Sequence, residues 1–425
     1  MKYNSFTLHN FKSIPQISKL TDEQIEAIEI VGRVLPFKCN NYVVDNLIDW
    51  DNIPNDPIYT LTFPRKEMLS ETAYNTIKSL VDNDAPVAEI KEAVHEIRLK
   101  LNPNPADQDH NVPMLGEVKL KGIQHKYRET VLFFPSQGQT CHAYCSFCFR
   151  WPQFSGMSAL KFQMKEADLL YQYLDEHKEV SDILFTGGDP MTMSAKILKA
   201  YIEPLLTERF SHIRTIRIGT KTLSYWPYRY TADADSQEIL DLFKKVTDSG
   251  RCLAIQAHFN HPTELSTDIV KKAVKLIRAT GAQIRTQSPL LKHINDKAEI
   301  WVNMWRKQVD MGMIPYYMFV ARDTGSKAFF ELPLEKCWEI FRDAYSSVSG
   351  VCRTVRGPSM SASPGKIQVL GVSEVRGEKV FVLRFIQGRK TSWVDVPFFA
   401  KFDSKVTWLD NLKPAFGEEK FFYEK

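Results

Sequence analysis

Three of the seven cysteines lie close together, in the segment CHAYCSFC. Cys141, Cys145 and Cys148 follow the spacing C-x3-C-x2-C, directly after a short apolar run that predicts a strand. Three thiolates on one tight loop can hold three corners of a cubane iron–sulfur cluster and leave the fourth iron without a protein ligand. A small molecule can then bind that iron directly. The spacing therefore predicts a cluster that takes part in chemistry.

A structural zinc site is the alternative for the same three cysteines. Tetrahedral zinc needs a fourth Cys or His at the spacing of a ribbon or a finger. The chain has no second C-x2-C pair, and His142 lies inside the loop. The small, odd total of cysteines also argues against a secreted disulfide framework. The other four are isolated along the chain: Cys39, Cys252, Cys337 and Cys352.

Six short apolar runs alternate with amphipathic helical segments after about residue 125. Such an alternation predicts parallel βα units that curl into an open or partial (β/α)6 barrel, with a doubly wound sheet as the alternative. Either fold places chemistry at the carboxyl ends of the strands, where the sequence has TGGD, IGTKT, HFNH, TQS and ARD. The six runs are TVLFFPS, DILFTGG, IRTIRIGT, CLAIQAHFNH, AQIRTQSPLL and MIPYYMFVA.

Different patterns flank this barrel on both sides. Amphipathic segments such as TDEQIEAIEIVGRVLPF and APVAEIKEAVHEIRLKL predict a mostly helical N-terminal region. Runs such as KIQVLGVSEV and KVFVLRFI, joined by turns, predict a small β-rich C-terminal extension. We therefore expect a helical region over 1–120, the barrel over 121–350 and the extension over 351–425.

The composition excludes several classes of protein. The chain has 425 residues, of which 44% are hydrophobic and 25% charged, an ordinary globular balance. The net charge of +4 is too small and too evenly spread for binding to nucleic acid or a membrane surface. No apolar stretch approaches the length of a membrane-spanning helix, and the first residues lack the pattern of a secretory signal. These features predict a soluble cytoplasmic protein.

The cysteine motif resembles the signature of the radical S-adenosylmethionine (SAM) superfamily, C-x3-C-x-aromatic-C, with Phe147 in the aromatic position. A more specific resemblance, to the lysine 2,3-aminomutase family, extends from about residue 50 to about residue 370. It is carried by seven segments in the same order and at comparable spacing. These are CHAYCSFCFRWPQFSG, ILFTGGDPM, IRIGTKT, HFNHPTEL, TQSPLLKHIND, IPYYMF and ASPGK.

The resemblance implies how cofactors are bound at the cluster. The three cysteines of the motif would ligate a [4Fe–4S] cluster, and the amino and carboxylate groups of SAM would chelate its fourth iron. Gly187, Gly188 and Asp189 correspond to the family's TGGD turn, where bare backbone can approach the methionine end of SAM. His258 and Gln287 correspond to residues on the SAM side of the site. A histidine at a strand end can equally be structural.

The resemblance also implies an amino acid substrate and pyridoxal phosphate (PLP). Arg150 matches the arginine that binds the substrate carboxylate, although a cluster-stabilising or surface cation is the alternative. Lys366, in SASPGK, aligns with the lysine that forms a Schiff base with PLP. Lys126 and Arg128 fall where the family places basic residues on the PLP phosphate. Two departures weaken the match: ASPG replaces a run of glycines, and Arg128 is out of register.

The largest departure concerns the substrate side chain. In lysine enzymes two aspartates hold the distal ammonium group, and the equivalent positions here are Arg322 and Ser359. Replacing two carboxylates by an arginine and a serine repels a lysine ammonium and favours an anion. The alternative is that Arg322 pairs with the neighbouring Asp323 and only braces its loop.

The sequence as a whole predicts a radical SAM, PLP-dependent amino acid 2,3-aminomutase that converts an α-amino acid to a β-amino acid. We expect an acidic or polar substrate, an electron donor such as flavodoxin or ferredoxin, and a homo-oligomer. The alternatives are a PLP-independent radical SAM enzyme on the same scaffold and a non-catalytic, metal-stabilised binding protein. The cysteine-rich C-terminal zinc site of some lysine enzymes has no counterpart, since no cysteine follows Cys352.

Overall fold

The N-terminal region is mostly helical, as predicted. A computed structural model provides the structure and describes residues 1–102, 111–157 and 161–424. The first long helix begins where the Thr21 hydroxyl accepts a hydrogen bond from the Gln24 backbone and the Gln24 side chain accepts one from the Thr21 backbone. The elements are β1 (Ser5–Thr7), α1 (Asp22–Val34), β2 (Lys38–Asn40), α2 (Asn41–Asn46), α3 (Pro57–Thr62), α4 (Glu71–Asp82) and α5 (Val87–Leu101).

The six predicted barrel strands are all present, and each is parallel to the next. Their order in the sheet is their order in the chain, so the reversal that defines a doubly wound sheet does not occur. A short hairpin, β3 (Met114–Leu115) and β4 (Val118–Lys119), precedes an antiparallel edge strand, β5 (Ile123–Tyr127). The six are β6 (Thr130–Phe133), β7 (Asp182–Phe185), β8 (Thr215–Thr220), β9 (Cys252–His258), β10 (Gln283–Leu290) and β11 (Ile314–Val320).

Helices separate these strands, although one predicted helix is shorter than expected. The segment AKILKAYIEPLLTERF forms a helix only to Ile202 and continues as two 3-10 turns, the first of which contains Pro204. Gly250, Gly281 and Gly312 follow the ends of three helices with positive φ, a conformation that glycine adopts readily. The helices are α6 (Ala167–Glu176), α7 (Ala195–Ile202), α8 (Thr222–Tyr225), α9 (Ser236–Asp248), α10 (Asp268–Ala279), α11 (Ala298–Asp310), α12 (Lys327–Phe330) and α13 (Leu334–Ser346).

The β-rich C-terminal extension continues the sheet of the barrel. Its strands are β12 (Arg356–Ala362), β13 (Gly365–Val375), β14 (Glu378–Gly388) and β15 (Pro397–Lys401). β12 pairs with β11 in parallel and the other three follow in antiparallel order, so that β5 to β15 form one eleven-stranded sheet. The extension therefore brings Lys366, on β13, beside the last barrel strand. The division into three domains stays a prediction.

Within the described parts of the chain, no helix has the length and apolar character needed to span a membrane.

Candidate active site

A cavity of about 330 Å³ opens at the carboxyl ends of the barrel strands. The period-two alternation of a strand explains which side chains reach it. On β9, for example, Leu253 and Ile255 are buried in the core, whereas Gln256 and His258 line the cavity. All the predicted site residues except Lys126 and Arg128 line it: Cys141, Cys145, Cys148, Arg150, Gly187, Gly188, Asp189, His258, Gln287, Arg322 and Lys366.

The loop that carries the three cysteines is held by the N-terminal region. The Tyr144 backbone amide donates to the Lys38 carbonyl over 2.7 Å, and the Ser146 amide donates to the Leu61 carbonyl over 2.9 Å. Because the three cysteines lie in a segment without helix or strand, these contacts replace the hydrogen bonds of regular structure. The loop is thus fixed from a part of the chain about a hundred residues away.

Three side chains of the same region bind the carbonyl groups of this loop. Lys38 donates its ammonium to the Cys141 carbonyl over 2.8 Å. The Tyr3 hydroxyl and the Asn40 amide both donate to the His142 carbonyl, over 2.8 and 3.1 Å. Sequence reasoning missed these anchors, since nothing in their local pattern connects them with the cysteines.

The three cysteine thiols are free and face one cavity. Burial raises the pKa of Cys145 to about 11 and that of Cys148 to about 12, and burial also raises the pKa of Cys141. Nearby negative charge raises all three further. Such a buried set of soft sulfur donors fits an iron–sulfur cluster, whose iron ions offset the charge of the thiolates. Among the residues described, no three His, Cys, Asp or Glu side chains group closely enough to hold a single metal ion.

The two glycines of the TGGD turn are required by a close approach of protein backbone. A Cβ on Gly188 would lie 2.5 Å from the Thr140 backbone nitrogen, and a Cβ on Gly187 would meet the Gln139 side chain. Gly187 also has a φ of 137°, which other residues rarely adopt. The turn therefore lies against the segment that leads into the cysteine loop. The sequence predicted room for SAM here, and the structure adds this second reason for glycine.

Asp189 joins the TGGD turn to the end of β8. Its carboxylate accepts hydrogen bonds from the Thr220 and Thr222 hydroxyls and from the backbone amides of Lys221 and Met191, over 2.7 to 3.0 Å. Burial raises the pKa of Asp189, and these four donors oppose that rise. Its oxygens are thus occupied by protein groups, which is typical of a structural carboxylate.

Two nitrogen atoms on β9 face the cavity without a partner in the described structure. They are Nε2 of His258 and Nε2 of Gln256. Gln256 is a buried residue and His258 is partly buried. Burial lowers the pKa of His258 well below its usual value, so the imidazole is neutral. Buried nitrogens of this kind are ready to bind a ligand. Gln256 was missed from the sequence, although its position two residues before His258 places it on the same face of the strand.

Arg150 is buried beside the cysteine loop. Its guanidinium carbon lies 4.2 Å from the ring centroid of Phe134 and 5.2 Å from that of Phe149. One terminal nitrogen, Nη1, has no hydrogen-bond partner among the described residues, and burial lowers the pKa of this arginine to about 9. A buried cation with a free N–H fits a carboxylate.

Lys366 reaches the cavity from β13. Its amine nitrogen lies 4.1 Å from the ring centroid of Tyr317 and 5.5 Å from that of Phe319. Burial, aided by the positive charges of Arg217 and Arg356, lowers the pKa of Lys366 to about 8. A larger share of neutral amine makes the residue a better nucleophile toward a carbonyl group. The environment of Lys366 thus fits the attachment of PLP.

Known proteins of one kind resemble this chain over most of its length. No protein-family model matches it. A protein of Aquifex aeolicus (strain VF5) named "Putative L-lysine 2,3-aminomutase" is 31% identical over 362 residues, which cover 84% of this chain and 83% of that protein. The chain belongs to the lysine 2,3-aminomutase family. The L-lysine 2,3-aminomutase of Bacillus subtilis (strain 168) is 25% identical over 99% of this chain and 80% of its own length.

Solved structures of radical SAM enzymes resemble the fold only distantly. A radical SAM methyltransferase from Sphaerobacter thermophilus gives a TM-score of 0.39 at 13% identity, covering 67% of this chain and 93% of that one. SuiB from Streptococcus suis, bound to S-adenosylmethionine, gives 0.36 at 12% identity, covering 64% of this chain and 56% of that one.

Arg322 lies in the cavity of this lysine 2,3-aminomutase relative and is held by three neighbours. Its guanidinium carbon is 5.4 Å from the ring centroid of Phe149 and 5.6 Å from that of Trp408. Its Nε atom lies 3.8 Å from a carboxylate oxygen of Asp323, a long ion pair. Arg322 thus lines the cavity and also lies near Asp323, so both interpretations of Arg322 stay predictions. Trp408, from the C-terminal extension, was not predicted.

Three other positions compared with the lysine 2,3-aminomutase family lie outside the cavity lining. Ser359 is completely buried, and its hydroxyl donates to the Met318 carbonyl over 3.4 Å. Lys126 donates to the Ala362 carbonyl, at the turn between β12 and β13. Arg128 is exposed. A role of Lys126 or Arg128 at the PLP phosphate stays a prediction, and Ser359 does not line the cavity.

Proposed function

We propose that the protein is a radical SAM, PLP-dependent amino acid 2,3-aminomutase with an acidic or polar substrate. One observation carries the proposal: a single cavity brings together three partly buried thiols, an arginine with a free N–H and a lysine of lowered pKa. When bound, the cluster with SAM supplies one-electron chemistry, and PLP supplies the carbonyl that captures an amino group. Membership of the family directly supports the iron–sulfur cluster and SAM.

The residues of the chain have separate tasks in this proposal. Cys141, Cys145 and Cys148 hold three iron atoms of the cluster. Arg150 binds the substrate carboxylate, because its buried Nη1 atom needs an acceptor. Lys366 binds PLP, because its amine is neutral in a useful fraction of molecules near pH 7. Aromatic and aliphatic side chains exclude water around these groups, which strengthens every polar contact inside.

The charges of the cavity favour a substrate other than lysine. Among the lining residues that the structure describes, only Asp189 carries a carboxylate. Its oxygens already accept hydrogen bonds from protein groups. A lysine side chain placed beside Arg322 would meet a like charge, whereas a carboxylate would gain a charge-assisted hydrogen bond. Glutamate, aspartate or a polar neutral amino acid therefore fits best. We further propose that flavodoxin or ferredoxin donates the electron.

The test is anaerobic incubation of the reconstituted protein with SAM, PLP, a reductant and a panel of amino acids. Mass spectrometry should find the β-isomer of an acidic or polar amino acid. Turnover of lysine without preference for the others would overturn the substrate proposal. Isomer formation without PLP absorbance would instead support the PLP-independent alternative.

A variant of Arg322 tests the specificity. A hydrogen bond to a charged group contributes about 1.5–3 kcal/mol, so Arg322→Ala should lose roughly ten- to a hundredfold in kcat/KM for the preferred substrate. Arg306→Ala is the matched control, because that arginine lies on α11 and donates to the Ser347 carbonyl at the surface. Equal kcat/KM values in the wild type and Arg322→Ala would contradict the assigned role.

A further inference from the structure

The hydroxyl of Tyr225 lies beside one of the three cysteine ligands. Tyr225 ends the short helix α8 and is almost completely buried. Its oxygen is 3.7 Å from the Cys145 sulfur, within the distance of a sulfur hydrogen bond. Among the described residues, no other side-chain hydroxyl forms a hydrogen bond with the sulfur of Cys141, Cys145 or Cys148. Nothing in the motifs discussed above assigns this tyrosine a task.

One contact to the ring of Tyr225 and one to its backbone hold this residue in place. The ammonium of Lys221 lies 4.5 Å from the ring centroid and forms a 2.5 Å ion pair with the buried carboxylate of Glu264. The Asn40 amide donates to the backbone carbonyl of Tyr225 over 3.0 Å. A cation over a buried ring and a hydrogen-bonded backbone leave the hydroxyl little freedom to move away from Cys145.

The direction of the hydrogen bond follows from the chemistry of the sulfur. A free thiol can donate to the phenol oxygen, whereas a thiolate bound to iron has no proton and can only accept. A hydrogen bond to a ligand sulfur withdraws electron density from a cluster and makes the reduced state easier to reach. We propose that the Tyr225 hydroxyl donates to the iron-bound Cys145 thiolate and raises the reduction potential of the cluster. Tyr225 acts as a positioning residue, since it works through Cys145.

The proposal rests on the cluster assigned under the proposed function, and the test separates the two. Full-length protein is reconstituted with iron and sulfide without SAM, then titrated with dithionite and followed by electron paramagnetic resonance. Tyr225→Phe should keep its iron and lose about tenfold in the equilibrium constant for one-electron reduction, about 59 mV in midpoint potential. Tyr74→Phe is the matched control, because it removes a buried hydroxyl that bonds Glu26 in the N-terminal region. It should retain the wild-type potential.

Equal potentials in the wild type and Tyr225→Phe would overturn the proposal while leaving the cluster intact. Loss of iron from a folded Tyr225→Phe would also overturn it, in favour of a role in holding the cluster. A wild type that binds no iron would refute the cluster itself. Should Tyr225→Phe not fold, the wild type decides: its iron–sulfur stretching bands in resonance Raman spectra should shift in deuterated water. Bands that do not shift would contradict the hydrogen bond.

Discussion

If PLP binds as proposed, we expect the lowered pKa of Lys366 to set the pH dependence of its attachment. Only the neutral amine attacks a carbonyl, so the rate of imine formation follows the neutral fraction. With a pKa of about 8 instead of 10.5, that fraction at pH 7 is about 9% instead of about 0.03%. Burial therefore raises the neutral fraction of Lys366 at pH 7 about 300-fold over that of an ordinary lysine. Below pH 8 the rate should rise tenfold per pH unit, and above it the rate should level off.

The assay mixes the full-length protein with PLP in a stopped-flow instrument and follows the visible absorbance of the imine. Lys366→Ala should lose the signal, and borohydride should trap the adduct on Lys366 in the wild type. Lys327→Ala is the control, because Lys327 also lines the cavity but lies 3.5 Å from Glu331 in an ion pair. A rate that still climbs almost tenfold between about pH 9 and pH 10, as it would for an ordinary lysine, would refute the reasoning. So would an adduct that maps to another lysine.

Two further predictions concern the cysteine loop and the TGGD turn that lies against it. Cys145→Ala should lose most of its iron and stop SAM cleavage, because two thiolates cannot complete the ligand set; full iron with normal 5′-deoxyadenosine formation would contradict the assignment. Gly188→Ala should lower the free energy of unfolding by about 1–3 kcal/mol, since its Cβ would clash with backbone atoms of Thr140. Chemical denaturation measures that loss, with Gly350→Ala as the control because its Cβ meets open space; equal losses would contradict the clash.

The barrel could be predicted because the sequence pattern of each strand and each helix lies within that element. Each strand is a short apolar run, and each helix carries its own period and its own stop, such as Gly281 with a φ of 86°. The error in α7 was local too, since Pro204 breaks the pattern before the apolar spacing ends. The cavity residues followed from one rule, which places the carboxyl ends of parallel strands at one edge.

Contacts between distant segments could not be predicted. Lys38 and Asn40 bind the cysteine loop across about a hundred residues, and Trp408 reaches Arg322 from the C-terminal extension. The burial of Ser359 could not be predicted either, since the family resemblance placed this residue at a substrate position. Only the fold shows that it is buried and donates to the Met318 carbonyl of β11. The sequence therefore predicts the strand-end residues well and the groups that hold them poorly.

The cysteine loop is attached to residues 38–61. This attachment limits which part of the chain can be separated from the rest without disturbing the site. A fragment that starts after the N-terminal region would keep all three cysteines and all six parallel strands. It would lose the backbone partners of Tyr144 and Ser146, and with them the spacing of the thiols. The cysteine motif and the six strands are therefore not sufficient to hold the cysteine loop in place. Anyone who trims or grafts this scaffold has to carry the first sixty residues with it.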